Sequence, residues 1–136
     1  MTINDEIMLG KIHFYLGITM VIIFILTGQY MHHNFDHLKG MEQMNRALFR
    51  AGHLYILLFG LIHIALGAYF KTFQNALFRK IQWIGSTVLF IASFLVIYGF
   101  FTELPTEQIE RPLTRISLYL VLLGVSIHGF ISLKKH

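Results

Sequence analysis

Four uninterrupted apolar runs, at about 12–31, 48–70, 83–101 and 116–133, constrain this chain more than any other feature. Each is roughly 18–23 residues, the length a helix needs to cross a hydrocarbon core of ~30 Å. A bilayer interior offers no partner to an open backbone N–H or C=O, so helices rather than lone strands must do the crossing. The whole chain, 1–136, reads as one domain that is 55% hydrophobic and 13% charged. This composition excludes disorder and an ordinary soluble enzyme. The absence of cysteine excludes a disulfide-stapled module and a closed thiolate metal site. The expected fold is an all-α membrane protein with helices at 12–31, 48–70, 83–101 and 113–133. Pro112 suits the first turn of the last helix.

The connections are short, which predicts an antiparallel up-down four-helix bundle with both termini on one side. That side carries Lys11, Lys71, Arg79, Lys80, Lys134 and Lys135, against Lys39, Arg46, Arg50, Arg111 and Arg115 on the other. The small excess places the termini in the cytoplasm, with a bacterial inner membrane as the expected location. Asn4-Asp5-Glu6 before the first run, and no small-residue cleavage site after it, argue for a retained helix rather than a signal peptide. Residues 71–82 carry Phe73, Leu77, Phe78 and Ile81 at helical spacing, which predicts a short helix lying in the interface. Apolar Leu38, Met41, Met44 and Leu48 suggest a fold-back helix in the loop 32–47. No basic stripe for nucleic acid exists; the lipid bilayer is the expected surroundings.

Ionisable residues inside a membrane are costly and are functional hypotheses by default. Here they are histidines. Counted from the nearest charge at 1.5 Å per residue, His63 lies ~12 Å and His128 ~9 Å deep, whereas His13 is only ~3 Å deep. His53 lies near the opposite end of the second helix. The third helix has no histidine, so it reads as scaffold or lipid-facing. Helices two and four are diagonal in an up-down bundle, and two inward imidazoles at equal depth can hold one iron between them. Gly60 and Gly67 beside His63, and Gly124 one turn from His128, could open room for a flat porphyrin, although close helix packing alone explains most of these small residues. Ser126 or Ser132 could serve the second ring nitrogens. Lys71, Lys134 and His13 could meet the propionates.

This plan is similar to the four-helix membrane cytochromes b, in which histidines on helices two and four ligate haem b. The matching residues are His63 in Gly60-Leu-Ile-His63-Ile-Ala-Leu-Gly67 and His128 in Gly124-Val-Ser-Ile-His128-Gly129. The resemblance implies a haem b electron carrier that exchanges electrons with quinone or quinol, or a cytochrome subunit with a protein redox partner or a second copy. Larger members of that group often hold two haems; here a second would need His32, His33 or His37 opposite His53. His13, or Arg50 with His53, could shape a quinone site. Against this stands a plain reading, in which these histidines are hydrogen-bonded structural groups.

A second constellation is His32-His33-Asn34-Phe35-Asp36-His37, followed by Met41 and Met44. On a helix His33 and His37 would share a face, with Asp36 adjacent. Imidazole and carboxylate suit zinc or copper(II), and thioether suits copper(I). Three functions therefore stand side by side: a haem b electron-transfer protein, a copper- or zinc-handling membrane protein, and a non-catalytic accessory or scaffolding subunit.

Overall fold

The computed structural model describes residues 3–104 and 109–133. It is all-helical: α1 (Ile3–Phe35), a single 3₁₀ turn at Asp36–Leu38, α2 (Gln43–Ala68), α3 (Ala76–Glu103) and α4 (Pro112–Leu133). All four long helices are long and apolar enough to cross a membrane. Lys134 and Lys135, together with Pro105 and Glu107 of the last loop, lie outside the described residues.

The helices are longer than the apolar runs that announced them. At 1.5 Å per residue α1 is ~50 Å long, more than the ~30 Å of a hydrocarbon core, and its first and last turns are polar. The expected interfacial helix at 71–82 is not a separate element. Residues 70–75 are non-helical and 76–82 form the first turns of α3, where the Asn75 side chain accepts from Leu77 N–H at 2.8 Å. Such a cap satisfies one of the open amides at a helix start. Gln82 Nε2 donates to Lys71 O at 2.9 Å, tying the same loop to α3. The expected fold-back helix in 32–47 is likewise absent; α1 runs on to Phe35 and α2 starts at Gln43.

Packing is pairwise. α1 lies mainly on α2 and α3 mainly on α4, and the pairs join chiefly through α2 and α3. Small residues set the spacing. A methyl group at Gly17 would stand 2.6 Å from Ile64 N, and one at Gly67 2.5 Å from Phe14 N. At Gly124 it would stand 2.5 Å from Leu89 Cγ. Such contacts are possible only without a Cβ, and they let dispersion act between backbones where lipid leaves no hydrophobic drive for association.

Two zones fill the interior. Met20, Ile56, Phe59, Leu89, Val96, Phe100 and Val121 belong to one apolar cluster that reaches Phe49 and Leu104 at one end of the bundle. Towards the other end the interior turns polar, with His13, His63, Ser86, Ser93 and His128 all buried. Outward positions such as Tyr15, Leu26, Phe94, Leu122 and Phe130 are exposed and apolar, as lipid contact requires. α3, expected to be scaffold or lipid-facing, is not the lipid-facing helix: it carries the largest set of buried residues among the four helices as described. Its buried face sets small Gly85, Ser86, Ala92, Ser93 and Gly99 among larger Leu89, Val96 and Phe100.

Candidate functional site

The polar zone is a chain of five side chains drawn from all four helices. His13 Nδ1 on α1 lies 2.7 Å from His63 Nδ1 on α2. His13 Nε2 lies 2.9 Å from Ser86 Oγ on α3, and that hydroxyl lies 3.2 Å from His128 Nε2 on α4. At the far end His63 Nε2 meets Ser93 Oγ at 2.8 Å. The rings also touch: His13 and His63 stack at 4.9 Å between centroids, and His128 meets His13 edge-on at 5.8 Å. Phe90 lies parallel to His63 at 5.7 Å, and Phe70 closes the side towards His13 and His128.

Proton arithmetic shows how complete this chain is. A neutral imidazole has one donor and one acceptor nitrogen, and a serine hydroxyl has one proton and free lone pairs. With every ring neutral, one order runs from Ser93 to His63 Nε2, from His63 Nδ1–H to His13 Nδ1, from His13 Nε2–H to Ser86, and from Ser86 to His128 Nε2. The reverse order works equally well. Each of the four contacts is satisfied in either, which is what burying five polar groups demands.

Several expected site residues fall elsewhere. His13, expected to be shallow, is completely buried at 0% exposure and is the hub of the chain. The register of α1 against α2 explains this, since the close contact at Gly67 and Phe14 brings that stretch of α1 onto His63. His63 and His128 share the layer but do not face each other; His13 and Ser86 stand between them. Gly60, Gly67 and Gly124 are helix-crossing points, filled by Met20, by Phe14 and by Leu89 respectively. The second ring nitrogens are met from α3 by Ser86 and Ser93, not by the exposed Ser126 or by Ser132. Nothing in the sequence marked those two serines beyond their seven-residue spacing on a helix that lacks histidine.

His53 turns away from this layer towards α1. Its Nδ1 lies 2.9 Å from Thr27 Oγ1, and its ring stacks on Phe24 at 4.0 Å beside Gly28. The Thr27 hydroxyl donates to Phe24 O, so the threonine oxygen receives the His53 Nδ1–H. Arg50, on the same stretch, is exposed. In the loop, His37 pairs with His32 rather than His33: their Nδ1 atoms are 3.1 Å apart. The helix ends at Phe35, so the four-residue spacing of His33 and His37 never acts on one face. Among the described residues, no group of three or more His, Asp or Glu converges in a way that could hold a metal ion.

A groove of about 430 Å³ opens between α2 and α4. It is lined by Ile62, Leu66, Tyr69, Lys71, His128 and Ser132, among others. The chain of buried histidines therefore has one member at the wall of a surface groove that also carries a cation. No known protein family, curated protein or solved structure matches this chain.

Proposed function

We propose that this is an integral membrane electron-transfer protein that takes haem b at its histidine layer and exchanges electrons with quinone or quinol. The observation that carries the reading is the convergence of His13, His63 and His128, from three helices, in the buried interior of a bundle of membrane-length helices. Packing alone does not ask for imidazole there, and lipid makes it costly.

The donor chemistry fits the group. His63 and His128 would be the two neutral imidazoles that hold haem b, which would supply reversible one-electron chemistry. The Ser93 hydroxyl would hold His63 Nε2 in place, as partners to ligand histidines do. Lys71 at the groove rim offers a cation to a propionate. The Met20, Phe59, Val96 and Phe100 cluster excludes water from the other half of the bundle. Space is the costly part. The rings are packed in direct contact, so holding the group would require the His13–His63 and Ser86–His128 hydrogen bonds to open.

A second reading, an accessory subunit whose histidines hold four helices together, is favoured by the closed donor order of the chain. In either case we place the helices in up-down order with both termini cytoplasmic in a bacterial inner membrane. Support comes from contacts that run in opposite senses, Gly10 to Phe70 and Gly28 to His53, and from the lysine excess at the termini.

Absorption spectra of the detergent-purified chain, oxidised and dithionite-reduced, decide between the two. Haem b gives a Soret band and sharp reduced α and β bands that are lost in His63→Ala and His128→Ala. A colourless protein after expression with added haem leaves the structural reading standing.

A further inference from the structure

The turn after α1 is built against the grain of the backbone. Asp36, His37 and Leu38 take φ values of 41°, 57° and 61°, three successive non-glycine residues in the left-handed region. An L side chain disfavours that region. The consequence is specific: the chain doubles back and the His37 ring lands on His32, with centroids 3.8 Å apart and Nδ1 atoms 3.1 Å apart. Leu38 is driven into the apolar cluster by the same turn, which compensates the strain. His32, His33, Asp36 and His37 are all exposed.

We propose that His32 and His37 form a two-imidazole site for a divalent first-row metal ion, with copper(II) bound most tightly. The distance is the argument. Two ring nitrogens 3.1 Å apart, each ~2.05 Å from a common ion, subtend roughly 100° at it, between the square-planar and tetrahedral values; the exposed rings, 3.8 Å apart between centroids, need only swing slightly further apart to turn both lone pairs onto it. A hydrogen bond explains the contact only while one ring carries its proton on Nδ1. Moving that proton to Nε2 frees both Nδ1 lone pairs for one ion, with no net change in protonation. Water completes the shell, since no third His, Asp or Glu converges there among the described residues. Among divalent first-row ions, copper(II) leads the affinity order for nitrogen donors. Bound metal would staple the last turn of α1 to the strained turn behind it. This site is separate from the histidine layer and holds whether or not that layer takes haem.

The test is copper(II) titration of the untagged full chain in detergent, followed by calorimetry and electron paramagnetic resonance. One ion per chain is expected, with a spectrum showing two coordinated nitrogens. His32→Gln and His37→Gln should each weaken binding at least tenfold, and His33→Gln should leave it within threefold. All three positions are exposed, so folding is not at stake. Absence of saturable binding overturns the proposal, as does binding unchanged in both variants. A loss in His33→Gln equal to that in His32→Gln overturns it too, because the donors would then be a helical His33–His37 pair.

Discussion

His13 and His63, fifty positions apart, share a hydrogen bond between their Nδ1 atoms at 2.7 Å, and this contact links the α1–α2 pair to both serines of α3. Removing the His13 ring leaves His63 Nδ1 unmet and Ser86 with His128 alone; removing the His63 ring leaves His13 Nδ1 and Ser93 Oγ unmet.

His13→Leu should therefore destabilise the protein by about 1–3 kcal/mol, the cost of leaving buried donors or acceptors unmet. Membrane hydrogen bonds average only ~0.6 kcal/mol each, so an outcome near the lower bound would mean that the freed groups find new partners. The double variant His13→Leu with Ser86→Ala should cost at least about 0.5 kcal/mol less than the sum of the singles. Reversible unfolding in mixed detergent micelles measures all three.

Gly67→Ala tests the α1–α2 contact. Its methyl group would meet backbone at Phe14, 2.5 Å away, and backbone cannot rotate aside. Overpacking of this kind costs about 1–3 kcal/mol. Gly129→Ala, inside α4 with nothing within 4 Å, is the control and should leave stability level or raise it by up to ~1 kcal/mol. Equal thermal stability of the two variants would show that α1 and α2 do not meet in this register.

Glu103 reaches across the loop to the start of α4. Its carboxylate accepts from Leu113 N–H at 2.5 Å, from Thr114 N–H at 3.1 Å and from the Thr114 hydroxyl at 2.7 Å. A carboxylate at a helix N-terminus satisfies open amides and complements the helix dipole. Glu103→Ala should cost about 1–2 kcal/mol and speed amide exchange at Leu113 and Thr114. Unchanged exchange there would remove the cap from the account.

His37→Gly separates strain from metal. The left-handed conformation costs ~1–2 kcal/mol with a side chain, while glycine adds ~0.5–1 kcal/mol of unfolded-chain entropy. The ring is exposed, so little packing is lost, and metal-free stability should stay level or rise by up to ~1 kcal/mol. Copper binding should disappear in the same variant. A drop of more than ~1 kcal/mol in thermal unfolding without metal would show that the turn is not strained as described.

Much of the fold was legible because hydropathy is local. The apolar runs announced four membrane-length helices, and Pro112 marked the start of the last one. Helix ends were less legible: α1 extends from Ile3 to Phe35 through polar residues that carry no hydropathy signal. Of the site, the shared layer of His63 and His128 could be reached by counting residues from flanking charges. That count misplaced His13, because distance to Lys11 says nothing about which face of α1 meets α2.

By itself the sequence determined that this chain must satisfy its backbone in helices and that its intramembrane ionisable groups are histidines. Both follow from composition along the chain and from the cost of polar groups in lipid. Which imidazole touches which was decided only by tertiary structure. The glycine contacts at Gly17, Gly67 and Gly124 fix how deeply each helix slides against its neighbour. That register sets His13 on His63 and brings Ser86 and Ser93 to the rings. A run of left-handed residues, invisible to periodicity, turns His37 onto His32 instead of His33.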